Sequence, residues 1–546
     1  MRSRRLQRPL VVAFASILTM GAMVAPVVQG ASPTSEIQQT QGFRKAVTVA
    51  GIREHQEAFQ DFADAGVGNR VASSDAYEDS ADYVAERMEA AGYEVSSHSF
   101  EFIYNADLTT PIFEQISPVS VSYTDGVDFL SMTFSPNADV TALVTAVDLN
   151  TANPDVAPTS GCEPADFAGF PAGNIALTQR GTCTFAQKAQ NAADAGAAAV
   201  IVFNRGIAGQ TAGFGGTLGG VVTHNAAVIG TSFDIGVDFA NGVTNGPTGT
   251  TARVKVDRIN EERTTRNVIA ESPGGDPNHV IVIGAHLDSV PRGPGINDNG
   301  SGSGAILEVA EVFAAQGRET RNKLRFVWWG AEEFGLLGSE AYVDDLSQAE
   351  IDAIELVLNF DMVGSPNYVR FVYDGDNSAF PPVPMQVQQG PPGSGEIERV
   401  FRDYFASQGM ASEPTPFNGR SDYGPFIAAG VNIPAGGLFT GAEGTKTAAQ
   451  VLEYGGTEGA QYDPCYHLAC DTFAGTGGGT SPGLALTALD QRSDAVAHAV
   501  LLFSKRNFDK EPLTVVSTAA DLSLRPFSVG GTTDSPAPAW DEGVAE

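Results

Sequence analysis

The 546-residue sequence is poor in basic residues and in cysteine. Lysine and arginine number 32 against 65 aspartates and glutamates, a formal charge of −33 at pH 7. No basic patch interleaved with aromatic residues interrupts this acidity, so phosphate would be repelled and nucleic acid is not expected as a partner. The four cysteines form one separated pair and one close pair, Cys162 with Cys183 and Cys465 with Cys470. In an exported protein these pairs predict two disulfides.

One familiar hydrolase signature is missing, and one suggestive glycine-serine loop does not match a second. The helix-borne HExxH motif of single-zinc metallopeptidases does not occur. The segment GSGSG at residues 300–304 superficially resembles a serine nucleophile loop, but neither Ser301 nor Ser303 has the glycine spacing of G-x-S-x-G. The loop at residues 300–304 therefore does not support a serine hydrolase, and a peptidase built on the HExxH helix is excluded.

The first 30 residues have the composition of a secretory signal peptide. Four arginines precede an apolar run over residues 9–28, and we expect cleavage after Gly30. An uncleaved anchor is the alternative, but the run is broken by polar residues and is barely long enough to span a bilayer. We therefore expect a secreted, extracellular protein without a stable membrane anchor. Removal of residues 1–30 leaves 28 basic against 65 acidic residues, a charge of −37.

The composition and apolar pattern of the next part of the chain change twice. Residues 31–43 are polar and lack an apolar pattern, which predicts a flexible lead-in or pro-segment. Helical spacing of apolar residues follows over 44–92, and a strand is expected near 94–103. Residues 110–255 are rich in Gly, Thr, Val and Ala, poor in charge and divided into short β-like runs. They predict an inserted, mostly β domain.

Buried strands alternate regularly with helices in the second half of the chain. The strands are expected over 279–285, 323–330 and 355–360. Continuous apolar strands separated by helices are typical of an α/β domain with a mixed, mostly parallel sheet flanked by helices. We expect residues 44–109 and 256–508 to form this domain around the insertion, and residues 509–546 to be a C-terminal extension.

The inserted segment carries a specific glycine, cysteine and asparagine pattern that resembles the protease-associated (PA) domain. The matching residues are Gly161, Cys162, Asn174 to Leu177, Arg180, Gly181, Cys183, Phe185, Lys188, Asn191, Ala195, Gly196 and Asn204. The resemblance implies a domain that contacts substrate or a partner and takes no part in the chemistry.

Metal-ligand side chains follow each of the three predicted strands of the α/β domain. They are, in chain order, His286 and Asp288, then Glu332 and Glu333, then Asp361. Ligands bind outside the carboxyl ends of strands in open α/β sheets, so these groups should lie together. Several carboxylates at one place are costly unless cations neutralise them, which predicts a metal site.

Two further candidates complete the ligand set. Asp298 lies on a glycine-rich loop just before a helix, where a short side chain can approach a metal closely. His467 lies between Cys465 and Cys470, and a disulfide there would fix the direction of the imidazole. Two histidines and three carboxylates suit two zinc ions better than one, because a single catalytic zinc usually takes three protein ligands. Asp298 can bridge such a pair.

Six motifs occur in the order found in secreted co-catalytic zinc aminopeptidases. They are GAHLDSV, INDNGSGSGAILEVA, WWGAEEFGLLGS, NFDMVGS, GRSDYGPF and CYHLACD. The resemblance covers residues 44–508, including the insertion, and extends to the bacterial leucyl aminopeptidases and aminopeptidase Y. It implies the phosphorylase/hydrolase-like fold of zinc exopeptidases and two zinc ions per chain. The implied metal ligands are His286 and Asp361 for one zinc, Glu333 and His467 for the other, and Asp298 as the bridge.

The same resemblance implies the catalytic roles. Glu332 is expected to act as the general base, and Asp288 to orient His286. The Tyr466 hydroxyl is expected to stabilise the oxyanion together with zinc.

Recognition of a free substrate N-terminus follows from the same likeness. Glu332, Asp361 and the backbone carbonyl of Arg420 are the implied contacts for the α-ammonium group. The resemblance further implies a cis peptide bond between Asp298 and Asn299. Calcium is a further candidate cofactor that the sequence leaves open.

Three functional readings therefore compete. The leading hypothesis is a metallo-aminopeptidase that removes apolar residues such as leucine from peptide or protein N-termini. The first alternative is a carboxypeptidase or dipeptidase on the same scaffold, and the second is a non-catalytic binding protein. The complete ligand set and the retained base argue against the second alternative, and also against the one-zinc glutaminyl cyclases that share the scaffold.

Overall fold

The computed structural model describes residues 33–207, 210–383, 386–478 and 482–508. The predicted signal peptide and C-terminal extension lie outside the described residues. Two eight-stranded sheets organise the chain, and each sheet has its own hydrophobic core. Among the described residues no helix combines the length and the apolar character that crossing a membrane requires.

The larger domain begins with three helices and one long strand. They are α1 (Pro33–Arg44), α2 (Val49–Ala65), α3 (Asp75–Ala90) and β1 (Glu94–Asp107). The chain then enters the insertion, which contains β2 (Ile112–Ser117), β3 (Val121–Ser122), β4 (Phe129–Ser131), β5 (Ala138–Ala146), β6 (Ile175–Gln179), α4 (Phe185–Asp194), β7 (Ala199–Phe203), β8 (Ala227–Thr231), α5 (Phe233–Ala240) and β9 (Gly246–Val256).

The larger domain resumes after the insertion. Its elements are β10 (Arg258–Glu271), β11 (Asp276–His286), α6 (Gly300–Ala315), β12 (Asn322–Trp329), α7 (Leu337–Asp344), α8 (Gln348–Ala353), β13 (Ile354–Phe360), β14 (Phe371–Tyr373), α9 (Ser394–Ser407), β15 (Glu413–Thr415), α10 (Gly424–Ile427), β16 (Ala435–Phe439), α11 (Ala448–Tyr454), α12 (Phe473–Gly478) and α13 (Pro482–Phe503). Short 3-10 turns occur at Pro164–Phe167 and Glu332–Phe334.

The sheet of the larger domain is mixed, as predicted. Its strand order is β1-β10-β12-β11-β13-β16-β14-β15, and the central strands β12, β11, β13 and β16 run parallel. The flanking pairs β1 with β10, β10 with β12 and β14 with β16 are antiparallel. The central strands are buried because they are continuous apolar runs with helices on their faces. The predicted α/β fold is confirmed.

The insertion forms a separate β-rich domain, which also confirms its prediction. Its strand order is β3-β2-β9-β5-β6-β7-β8-β4, with parallel pairing from β5 to β8. The chain leaves the larger domain along β1 and returns along β10, and these two strands pair antiparallel from Glu94 with Glu271 to Asp107 with Arg258.

The prediction of a flexible lead-in is wrong for residues 33–43. These residues form most of α1, and Phe43 is fully buried with its ring 5.6 Å from that of Phe313. The Thr40 hydroxyl lies 2.8 Å from Nδ1 of His498 on α13. The helix was missed because few of its residues are apolar, and its partners lie far away in the sequence, 270 positions for Phe43 with Phe313 and 458 for Thr40 with His498.

This helix contact predicts acid sensitivity. Burial, assisted by the Arg44 charge, lowers the pKa of His498 to about 4. As the pH is lowered from 6.5 to 4, the unfolded chain therefore takes up a proton that the folded chain does not. The free energy of unfolding falls across this window. This difference in protonation lowers the free energy of unfolding at pH 4 by about 3 kcal/mol.

We expect His498→Asn to remove this pH dependence. The amide can still contact Thr40 but does not titrate. The destabilisation of the variant relative to the parent, measured by urea unfolding, should shrink by about 3 kcal/mol between pH 7 and pH 4. A difference that stays constant over this range would contradict a neutral, buried His498.

Candidate metal centre

The carboxyl ends of three neighbouring strands carry the predicted polar residues. His286 is the last residue of β11, Glu332 and Glu333 form the turn two residues after β12, and Asp361 directly follows β13. Strand β11 lies between β12 and β13 and runs parallel to both. These side chains therefore meet at one edge of the sheet, as the sequence predicted.

Asp298 lies between the two histidines. Its Oδ1 is 3.2 Å from Nε2 of His286, and its Oδ2 is 3.2 Å from Nε2 of His467. Asp361 Oδ1 lies 3.4 Å from the His286 Nε2, and Glu333 Oε2 lies 3.1 Å from the His467 Nε2. The five side chains thus form two three-residue groups that share Asp298, one oxygen for each group.

The donors fit a pair of cations. The buried atoms Glu333 Oε1 and Asp361 Oδ1 have no hydrogen-bond partner among the described residues. Burial, with the added charge of Glu333 and Asp361, raises the pKa of Glu332 well above its usual range, although His286 opposes the shift. Carboxylates packed this closely are costly without positive charge between them. Imidazole and carboxylate donors in groups of three suit zinc.

The loop that carries Asp298 has the predicted backbone geometry. The peptide bond between Asp298 and Asn299 is cis. The Asn299 side chain caps α6 by accepting a hydrogen bond from the Gly302 amide at 2.9 Å, and its amide group donates to the Phe360 carbonyl at 2.9 Å. Asn299 therefore joins the Asp298 loop to the end of the strand that precedes Asp361.

The two predicted disulfides are both present, Cys162 with Cys183 and Cys465 with Cys470. The second encloses Tyr466 and His467. His467 has φ of 57°, in the left-handed region that non-glycine residues rarely occupy. The closed loop holds this backbone and with it the direction of the imidazole.

Comparison with known proteins shows what this chain is similar to. Residues 267–481 match peptidase family M28, and residues 142–238 match the PA domain. The chain is 42% identical over 487 residues to a protein named aminopeptidase from Pseudomonas aeruginosa, covering 89% of this chain and 86% of the relative. The chain belongs to peptidase family M28. The resemblance found from the motifs is confirmed.

Two further similarities extend over almost the whole chain. It is 36% identical over 512 residues to leucine aminopeptidase 2 from Trichophyton equinum, which covers 91% of this chain and 94% of the relative. A solved aminopeptidase from Aneurinibacillus sp. strain AM-1 matches with a TM-score of 0.64 and 26% identity, over 87% of this chain and 98% of that one.

Asp288 supports this M28 centre more broadly than predicted. Its Oδ1 lies 3.7 Å from Nδ1 of His286, which is nearer, at 3.2 Å, to the backbone carbonyl of Asp288. The carboxylate also accepts hydrogen bonds from the backbone amides of Glu332 at 3.1 Å and Glu333 at 3.4 Å. Asp288 therefore positions the Glu332–Glu333 turn as well as the strand end that carries His286.

Tyr466 and Arg420 lie together at the rim of the M28 centre. The Tyr466 ring stacks on His467 with centroids 3.8 Å apart, and Arg420 Nη2 donates to the Tyr466 hydroxyl at 3.0 Å. Arg420 Nη1 also pairs with Glu443 at 2.7 Å. Burial keeps the pKa of Tyr466 well above its ordinary value, although Arg420 opposes the shift. The hydroxyl therefore retains its proton and can donate a hydrogen bond.

Several supporting residues were missed by sequence reasoning although they lie inside the motifs or directly before one. Asp471 accepts hydrogen bonds from the backbone amides of Asn297 at 2.7 Å and Asp298 at 3.0 Å. Asp463 accepts from the Asn297 side chain at 2.6 Å, and Ser421 donates to Oδ2 of Asp361 at 2.5 Å. Asp471 ends the motif CYHLACD, Asp463 lies two residues before it, and Ser421 lies in GRSDYGPF. These positions close to predicted site residues were the available signal.

Arg70 was missed without any such signal. This fully buried side chain lies in the loop between α2 and α3. It donates to the carbonyl of Pro294 at 2.9 Å and of Gly295 at 2.8 Å, and also to that of Leu287. It thereby joins both ends of the loop that separates His286 from the Asp298 segment.

Among the described residues, two other clusters of three side chains contain carboxylates and are close enough together to bind a cation. They are His55 with Glu308 and Glu311, and Asp374 with Asp376 and Glu398. Arginine already pairs with each, since Arg87 contacts Glu311 and Arg402 contacts Glu398 at 2.8 Å. We assign no metal to either group, and calcium is assigned to neither.

Proposed function

We propose that this chain is a secreted aminopeptidase with two zinc ions that removes apolar residues such as leucine from peptide N-termini. Membership of peptidase family M28 and the aminopeptidase names of its relatives support a zinc-dependent peptidase. The observation that carries the two-ion assignment is Asp298, whose two oxygens face different histidines. The disulfides and the signal-peptide composition of residues 1–30 support secretion.

The two groups of side chains that share Asp298 support the proposed assignment of ligands to each zinc ion. His286 and Asp361 would hold one zinc, Glu333 and His467 the other, and Asp298 both. When bound, zinc supplies the positive charge that acidifies a water molecule and polarises the substrate carbonyl.

Glu332 is the proposed general base. Its Oε2 lies 3.9 Å from Nε2 of His286, so it borders the metal ligands without the closer approach that the other carboxylates make. It would take the proton of the attacking water and then give it to the departing amine, which balances the two halves of peptide hydrolysis. The Asp288 contacts to the turn amide hold this side chain in place.

Tyr466 and the substrate N-terminus complete the proposed mechanism. The protonated Tyr466 hydroxyl would donate a hydrogen bond to the oxyanion, and Arg420, which donates to the same hydroxyl oxygen, would strengthen that donor. Glu332, Asp361 and the Arg420 backbone carbonyl would accept hydrogen bonds from the α-ammonium group. A blocked N-terminus lacks this charge and would bind poorly.

The PA domain is proposed to contact the substrate beyond the cleaved residue. Arg292, in the loop between His286 and Asp298, pairs with Asp125 of the inserted domain at 3.3 Å. This ion pair brings the PA domain against a loop of the metal centre and supports a place for it at the entrance.

Hydrolysis of leucyl-p-nitroanilide by the mature protein tests the proposal. We expect cleavage of the free-amine substrate and not of its N-acetylated form, because only the former carries the α-ammonium group. Chelation should abolish the activity, and added zinc should restore it. Cleavage of peptides from the carboxyl end would instead favour the carboxypeptidase alternative, and zinc binding without hydrolysis of any aminoacyl substrate would favour a binding protein.

A further inference from the structure

Three cationic side chains outside the metal centre are buried around one tyrosine ring. The Tyr368 ring centroid lies 5.6 Å from the Arg370 guanidinium carbon, 5.5 Å from Lys446 Nζ and 5.3 Å from the Arg492 guanidinium carbon. The exposed fractions of the three cations are 7%, 1% and 0% in the same order. We call these four residues the Tyr368 cationic cluster.

The three cationic side chains differ in how many of their nitrogens have hydrogen-bond acceptors. Arg370 Nε donates to Gln491 at 2.9 Å, and Lys446 Nζ donates to the Tyr368 carbonyl at 2.7 Å. Arg492 Nη2 donates to the Val369 carbonyl at 2.7 Å. Among the described residues, no acceptor meets Nε or Nη1 of Arg492. A fully buried guanidinium with two nitrogens that no protein acceptor meets is costly unless another group compensates its charge.

The surrounding charges do not offset this cost. Glu413 is the carboxylate that favours the charged form of Lys446, and its Oε2 already accepts a hydrogen bond from Gln450 at 2.8 Å. Burial lowers the pKa of Lys446 to about 8 and, with the added repulsion of Arg370, that of Arg492 to about 9. Arginine nevertheless stays charged at neutral pH, so the cluster retains an excess of positive charge.

We propose that the Tyr368 cationic cluster binds one small monovalent anion, of the size and charge of chloride, against the Arg492 guanidinium. The aromatic rings of Tyr368 and Phe405 flank this group, with centroids 5.3 Å and 5.4 Å from its carbon. A monatomic anion suits such a buried place better than a polyatomic one, because it needs less room and fewer donors.

The anion would stabilise the packing of α13 against the chain that follows Asp361. Arg492 lies on α13, and its partner Val369 lies on the segment that leads from Asp361 towards β14. Lys446, just before α11, donates to the same segment at Tyr368. Because a folded cluster binds the anion and an unfolded chain does not, binding would raise the thermal stability.

Bromide provides the direct test, because it replaces chloride and scatters anomalously. In crystals of the wild-type protein grown or soaked in sodium bromide, we expect an anomalous peak within about 3.5 Å of an Arg492 guanidinium nitrogen, the contact distance of an anion with a donor nitrogen. A water molecule at this place, or a carboxylate from residues 509–546, would overturn the proposal.

Thermal unfolding provides the second test. At constant ionic strength, replacement of methanesulfonate by chloride should raise the Tm of the wild-type protein by about 2 °C. Arg492→Gln should lose this dependence, whereas Arg402→Gln, which removes an exposed guanidinium from α9, should keep it. Equal chloride dependence in the two variants would contradict the assignment. If Arg492→Gln does not fold, the bromide experiment on the wild-type protein decides alone.

Discussion

Replacement of Glu332 by glutamine is expected to lower kcat for leucyl-p-nitroanilide by about 10³-fold and to leave the zinc content unchanged. General acid–base catalysis contributes about 10²- to 10⁴-fold, and glutamine keeps the shape of glutamate but cannot accept the proton of water. The backbone amide of residue 332 would still donate to Asp288, so the turn should keep its place. Steady-state kinetics and elemental analysis of the same preparation measure the two quantities.

Glu333→Gln is the matched comparison, because it makes the same change one residue away. The Glu333 carboxylate lies 3.1 Å from the His467 imidazole, against 3.9 Å between Glu332 and His286. We therefore expect the Glu333 variant to lose zinc as well as activity. Loss of zinc in the Glu332 variant, or wild-type kcat with full zinc content, would show that Glu332 is not the base.

The clustering of these polar side chains could be predicted from the sequence because residue type and topology agree there. Apolar strands that end in His286, in the Glu332–Glu333 turn and at Asp361 are adjacent and parallel in the sheet. A parallel strand places its last residue at a known edge, so residue type and strand position together specify a cluster. The division into two groups about Asp298 was implied by the family resemblance, and only the distances required the structure.

The supporting residues were harder to predict because they act across long stretches of chain. Asp471 braces the Asp298 loop from more than 170 positions away, and Arg70 holds the loop before it from more than 200. Nothing in residue type distinguishes a carboxylate that binds metal from one that accepts backbone hydrogen bonds. Arg70 has the further disadvantage that a buried arginine with carbonyl partners leaves no periodic pattern.

Helix α1 shows a different limit of sequence reasoning. Its composition is polar, and the residues that contact the larger domain include Ile37, Thr40, Phe43 and Arg44. Such a segment is helical because α13 offers it a packing surface, and the partner surface is absent from any local window of sequence. The same dependence on distant partners explains why the contact between Thr40 and His498 could not be predicted from the sequence.

The proposed bridging role of Asp298 predicts the largest effect on metal binding. In Asp298→Asn one of the two carboxylate oxygens becomes an amide nitrogen, which cannot bind a cation. One histidine then lacks the carboxylate oxygen that lies 3.2 Å from it in the parent protein. We expect the variant to retain at most one zinc per chain and to lose about 10³-fold in kcat/KM, since a metal ion contributes several kcal/mol of transition-state stabilisation.

Asp376→Asn controls for the loss of one negative charge. Asp376 is exposed and belongs to the acidic group near α9, outside the proposed machinery, so its variant should keep two zinc ions and full activity. Metal content after dialysis against a weak chelator, followed by kinetics with graded zinc, separates weakened binding from weakened chemistry. Two tightly held ions in Asp298→Asn would show that the histidines bind zinc independently, and the shared-carboxylate arrangement would then be wrong.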